Sequence, residues 1–128
     1  MPPLESVIAI SIGAVPGALG RYYIALWSDR RFNTPIFGTL TVNLGGAFLM
    51  GVLSYSLTHL GMARWFSQGV TVGFLGALTT FSTFTLESAV LWRERKKLQA
   101  WLYWLGSPLL GLGCVELGLA LAQWLVPS

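Results

Sequence analysis

The run Gly76-Ala77-Leu78-Thr79-Thr80-Phe81-Ser82-Thr83-Phe84 sets glycine, hydroxyls and aromatic rings into the middle of an otherwise apolar stretch, residues 66–92. That stretch is too long, and too polar at its centre, to be one ordinary membrane helix. In hydrocarbon, backbone that leaves the helix is tolerated only where it is buried in protein or lines a watery path. A helix broken at this point therefore marks an ion or substrate site.

The surroundings agree. Of 128 residues, 54% are hydrophobic and only 10% charged, against about a quarter charged in a soluble domain. Four apolar spans are read at Leu4–Trp27, Ile36–Leu60, Trp65–Trp92 and Leu98–Val126, each at least the ~20 residues that a bilayer core requires. The connections are short, so the expectation is a single all-α membrane domain over residues 1–128 with its third helix broken. Met1-Pro2-Pro3-Leu4-Glu5 has no basic leader and no small-residue cleavage site follows it, so the first span is expected to be retained.

A net charge of +3 invites a nucleic-acid reading, but the basic residues sit at span ends, in Asp29-Arg30-Arg31 and Arg93-Glu94-Arg95-Lys96-Lys97. That is the pattern of membrane-flanking anchors and orientation signals; no nucleic-acid partner is expected. Cys114 is the only cysteine, which excludes an intramolecular disulfide and a Cys-based metal site and leaves it as a small apolar filler. His59 is the only histidine, near the end of the second span. No Ser-His-Asp set, His/Glu metal cluster or phosphate loop can be assembled, so the chain is not read as an enzyme.

Every span carries glycines, among them Gly13 and Gly17, Gly45, Gly46 and Gly51, Gly69 and Gly73, and Gly111, Gly113 and Gly118. Small residues at such spacing let membrane helices pack backbone to backbone. Four helices packed so tightly leave little room within one subunit, so transport would need a pathway between subunits of a homo-oligomer.

Polar residues discriminate further, because each one in a bilayer is costly without a partner. Thr39 and Asn43 share a helical face on the second span, as Tyr103 and Ser107 do on the fourth; on the third, Phe81 and Phe84 share one face, and Thr83 and Glu87 a neighbouring one. The first span has no acid at its middle, Glu5 lying at its start. A small proton-coupled exporter of cationic compounds, the rival reading, wants a buried acid there. The donors present suit an anion instead: Asn43 offers N–H groups, and Ser82, Thr83, Tyr103 and Ser107 offer O–H groups. A phenyl ring presents a positively polarised edge. On spacing alone, packing accounts for Phe81 and Phe84. Their place around Ser82-Thr83, directly after the break, favours a narrow path that holds a small anion weakly enough to release it.

In those residues the chain resembles the Fluc (CrcB) family of microbial fluoride channels. The likeness covers essentially the whole sequence, through Gly17-Ala-Leu-Gly-Arg21-Tyr22, Gly38-Thr-Leu-Thr-Val-Asn43-Leu-Gly-Gly and Gly73-Phe-Leu-Gly76-Ala-Leu-Thr79-Thr80-Phe81-Ser82-Thr83-Phe84. The resemblance implies a dual-topology homodimer of antiparallel subunits in the plasma (inner) membrane, exporting cytoplasmic fluoride passively through two pores, with a central structural sodium ion. By motif position, Gly76 and Thr79 supply backbone carbonyls to that sodium, Phe81 and Phe84 form an aromatic box, and Asn43 donates to fluoride. Ser82 and Thr83 continue the polar track, Thr39, Glu87 and Tyr103 form a polar cluster at one end of each pore, Ser107 is a fourth-span track residue, and Arg21 draws anions into the vestibule. Carbonyls freed by a break are hard oxygen ligands, and two symmetry-related breaks could supply four. Glu116, nine residues after Ser107, falls about 180° round the helix and should not face the same path.

Arg30, Arg31, Arg93, Arg95, Lys96 and Lys97 all lie in the first and third connections, and Arg64 alone in the second. The positive-inside rule then favours one orientation, with both termini outside, whereas an antiparallel dimer needs both. The dimer is still the favoured reading, because the motif makes sense only if two breaks meet across an inverted axis, and dimerisation draws the minor orientation out of the inserting pool. A cysteine beside Arg95, in a Cys114-free background, should be labelled unequally but from both sides of intact cells. Labelling from the cytoplasmic face alone would count against antiparallel assembly.

Overall fold

A computed structural model of the chain describes residues 3–126, so Met1 and Pro2 of the expected retained start lie outside the described residues. The first helix, α1, runs Leu4–Phe32, and α2 runs Ile36–His59. The third segment is composite: α3 Arg64–Gln68, a π-helical stretch Gly69–Leu75, α4 Gly76–Leu78, then α5 Phe81–Arg93. The last helix, α6, spans Lys97–Leu125. Four segments, Leu4–Phe32, Ile36–His59, Arg64–Arg93 and Lys97–Leu125, are long and apolar enough to cross a membrane.

The first helix outlasts its apolar span. It continues from Trp27 through Asp29, Arg30 and Arg31 to Phe32, and ends where Asn33 turns left-handed (φ 55°) and its N–H donates to Asp29 O at 2.9 Å. Hydropathy marks where hydrocarbon stops, whereas Arg is a good helix former that carries the helix on into the headgroup layer. The corner that follows is pinned by Ser28, wholly buried, whose hydroxyl donates to Thr34 O at 2.8 Å and accepts from Gly38 N at 2.9 Å.

Two close packings set the rest. Along α1, a Cβ at Gly13 would strike Gly69 O and one at Gly17 would strike Phe74 O. From the other side, a Cβ at Gly73 would meet Ile10 O at 2.5 Å. The π stretch is thus held against the α1 backbone, two helices of the same direction in close contact. The second packing joins α2 to α6, where a Cβ at Gly51 would collide with Val115 O and one at Gly118 with Phe48 O. Backbones this near maximise dispersion contact, which replaces the hydrophobic effect as glue where the solvent is itself apolar. The π stretch has no signal in the sequence; its wide turns are a common mark of functional segments.

The buried interior is small. Val42, Leu75 and Leu78 form one cluster, and Phe84, Leu91, Ala100 and Tyr103 another. Large apolar side chains such as Leu109, Leu112 and Leu117 are exposed, a distribution that suits hydrocarbon and not water.

Gly118→Ala should lower the thermal stability of detergent-purified protein by the ~1–3 kcal/mol typical of overpacking. Gly113, whose missing Cβ meets nothing within 4 Å, should instead tolerate alanine or gain up to ~1 kcal/mol of helix propensity. Equal effects at both positions would contradict the α2–α6 crossing.

Candidate functional site

Thr79 (φ −80°, ψ 154°) and Thr80 (φ −149°, ψ 120°) are both extended, and interrupt the third segment midway. In an unbroken helix Thr80 N would donate to Gly76 O. Here it donates to Asn43 Oδ1 at 2.8 Å, while Asn43 Nδ2 donates to Thr80 O at 2.9 Å. The amide of α2 thus pairs with one residue of α5's approach as a neighbouring strand would. Because Thr80 N can only donate, it also decides which way the Asn43 amide points.

The ends of the break are closed locally. Thr79 N and Thr79 Oγ1 both donate to Leu75 O at 3.0 Å, ending α4. Thr80 Oγ1 caps α5, accepting from Thr83 N at 3.3 Å and donating to Thr83 Oγ1 at 3.0 Å, with Ser82 Oγ 3.3 Å away. From α1, Arg21 Nη1 donates to Thr79 O at 3.4 Å. The methyl of Thr79 fills the space left by Gly46. Gly76 is exposed, and the diversion of Thr80 N deprives its carbonyl of the usual helical donor.

One helical turn further along α2, Thr39 Oγ1 donates to Glu87 Oε1 at 2.8 Å; Tyr103 Oη, from α6, donates to Glu87 Oε2 at 2.7 Å. All three residues are buried. A carboxylate buried in this way is stabilised by hydroxyl donors on both oxygens. The ring of Phe84, 4% exposed, packs edge-on to Tyr103 with centroids 5.0 Å apart. Phe81 lies 5.8 Å from Phe84 and is 78% exposed, so half of the aromatic pair stands outside the fold.

The residues singled out from sequence therefore divide. Arg21, Asn43 and Thr79 meet at the break around Thr80, and Thr39, Glu87 and Tyr103 meet in the buried cluster, against which Phe84 packs through Tyr103. Thr83 turns to the cap, and Ser82 is exposed. Ser107 is buried beside Tyr103 in the wall of a groove of about 610 Å³ that also includes Ile36 and Leu40. A separate groove of about 350 Å³ carries Asn43, Thr79, Thr80 and Phe81. Of the residues singled out, Tyr103 and Ser107 line one open groove and Asn43, Thr79 and Phe81 the other. Glu116 is exposed while Ser107 is buried, as their angular separation requires. His59 is exposed, its Nδ1 3.0 Å from Tyr55 O. Sequence reasoning gave Thr80 no role; its place ahead of Phe81-Ser82-Thr83, as a hydroxyl preceding a helix, is the signal that marks it.

Residues 8–119 match the family model described as CrcB-like protein, Camphor Resistance (CrcB). The chain is 38% identical over 124 residues to the fluoride-specific ion channel FluC of a Synechococcus strain, covering 95% of both chains. It is 39% identical over 125 residues to FluC of Trichormus variabilis, covering 95% of this chain and 91% of that one. With FluC 1 of Moorella thermoacetica it shares 39% over 117 residues, covering 89% and 83%. These relatives carry the names of channels, not of enzymes.

Tyr103→Phe strips Glu87 Oε2 of its donor and should destabilise the protein by ~1–3 kcal/mol, the cost of orphaning a buried polar group. The double variant Tyr103→Phe/Glu87→Leu, which removes donor and acceptor together, should lose less in thermal denaturation than the two single variants summed. If the double variant were worse than the sum of its parts, the hydroxyl–carboxylate contact would not be what holds this cluster.

Proposed function

Since this chain belongs to the CrcB family, we propose that it is a fluoride-selective passive channel that releases cytoplasmic fluoride across the plasma membrane of a microbe. The observation that carries the reading is the break itself: a paired extended segment at Thr79–Thr80, flanked by an amide, hydroxyls and an exposed phenyl ring, in a family whose relatives are named fluoride channels. Along the track Thr83 Oγ1, which accepts from Thr80, keeps its own hydrogen for an anion, whereas the Thr39 and Tyr103 hydroxyls are spent on Glu87. Asn43 keeps a second N–H beyond the one given to Thr80. The first-turn amides of α5 point toward the break and need partners from outside the helix. The edge of Phe81 adds a polarised C–H surface. Among the groups at the break only Arg21, which reaches Thr79 O from α1, carries a full positive charge, and it draws anions to the approach while the neutral donors hold them weakly.

The working unit in this reading is an antiparallel homodimer in which a second copy closes each path; the open grooves and the projecting Phe81 support a covering partner. Two such copies enclose two pores. Gly76 O and Thr79 O fit a structural sodium ion: both are main-chain oxygens, one freed by the diversion of Thr80 N and the other met only by Arg21 at 3.4 Å. Two carbonyls from each copy make a set of hard ligands suited to a small hard cation. Bound there, the ion would offset the cost of holding anions nearby in low dielectric.

Liposomes carrying the purified protein should release fluoride down its gradient much faster than chloride, with no proton gradient. Phe81→Ile keeps bulk and apolarity but removes the ring edge, so it should reduce fluoride efflux while the protein elutes at the same size. Equal fluoride and chloride efflux, or uptake of guanidinium-type cations driven by a proton gradient, would support the exporter reading instead.

A further inference from the structure

We propose that a tryptophan-walled groove between α5 and α6, away from the anion track, is a binding site for an anionic phospholipid. The groove has a volume of about 370 Å³ and is lined by Thr85, Ala89, Trp92, Ala100, Trp101 and Trp104. Trp92 and Trp101 meet edge to face at 6.0 Å, as do Trp101 and Trp104 at 5.7 Å. Its two hydroxyl-bearing lining residues offer nothing to an ion: Thr85 Oγ1 donates to Phe81 O at 2.9 Å and Ser88 Oγ to Phe84 O at 2.8 Å, so both are spent on their own helix. The surface left to a ligand is methyl and indole.

The charge at its mouth names the occupant. Trp92, in its wall, is the residue directly before the basic connection Arg93-Glu94-Arg95-Lys96-Lys97. Among the described residues the one ion pair there is Lys96 with Glu94 at 2.9 Å, which leaves Arg93, Arg95 and Lys97 uncompensated. Lys97 Nζ sits 5.5 Å from the centre of the Trp92 ring, on the rim. From that rim both walls descend about 10 Å, α6 from Lys97 to Trp104 and α5 from Trp92 to Thr85, at ~1.5 Å per residue. Tryptophan belongs at headgroup depth. The site therefore has a cationic top and an apolar trough running toward hydrocarbon, the two halves of an anionic lipid. A second copy of the chain is the rival occupant; the uncompensated Arg93, Arg95 and Lys97 favour the lipid, whose phosphate is their counter-charge.

The test uses a variant with Trp27, Trp65 and Trp124 changed to Phe, so that fluorescence reports Trp92, Trp101 and Trp104. It is reconstituted into phosphatidylcholine vesicles containing increasing mole fractions of chain-brominated phosphatidylglycerol or chain-brominated phosphatidylcholine. The brominated phosphatidylglycerol should quench at a several-fold lower mole fraction, and Arg93→Gln, Arg95→Gln and Lys97→Gln should each cut that preference roughly fivefold where the side chain meets the headgroup. Native mass spectrometry of the unaltered chain and of the Lys97→Gln variant gives an independent count: phosphatidylglycerol should be retained by the first and lost more readily by the second. Equal quenching by both lipids, or a preference and a retained-lipid count indifferent to the basic residues, would overturn the proposal. Quenching by neither lipid would mean that protein covers the groove, and would overturn it as well.

Discussion

The pairing of the Asn43 amide with the N–H and C=O of Thr80 is the interaction on which the architecture of the third segment rests. Leaving the helix in an apolar medium orphans backbone groups at several kcal/mol each. Asn43 takes up one donor and one acceptor at a single residue, so the chain can run extended through Thr79 and Thr80 and resume as α5. The same contact diverts Thr80 N away from Gly76 O. A structural solution to one problem thereby leaves Gly76 O, on an exposed residue, without its usual helical donor.

Everything downstream inherits that geometry. Thr80 is at once the partner of Asn43 and the cap of α5, so the start and direction of α5 are set by α2. Glu87 then arrives opposite Thr39, one turn from Asn43 on α2, and within reach of Tyr103 on α6. Thus α2 organises both the break and the buried carboxylate from one face. The glycine-mediated packings complete the frame by fixing α1 against the π stretch and α2 against α6.

The placement of the aromatic rings follows from this frame. Phe84 belongs to the core through Tyr103, whereas Phe81, three residues earlier, faces outward from the same helix. A packing pair would bury both rings. One ring is held and the other projects, and Tyr103 with Ser107 and Asn43 with Phe81 line separate open grooves, so the path proposed here is unenclosed in a single chain, which is why the proposed function takes a second copy.

How much could be read in advance depends on what kind of force decides each feature. Apolar length, the clustering of basic residues at span ends and the polar run at Gly76–Phe84 are local properties of the chain, and they determined a four-span helical membrane protein, an interruption of its third helix, and its family. Faces were legible too: Thr39 with Asn43, and Tyr103 with Ser107, follow from helical period alone. The partners were not legible. That Asn43 turns to the backbone of Thr80, that Arg21 reaches Thr79 O, that residues Gly69–Leu75 widen into a π-helix, and that Phe81 is left outside while Phe84 is buried all depend on how close α1, α2 and α6 come to the third segment. Those distances are set by which glycines meet which carbonyls across helices far apart in sequence, and only the tertiary structure decides that.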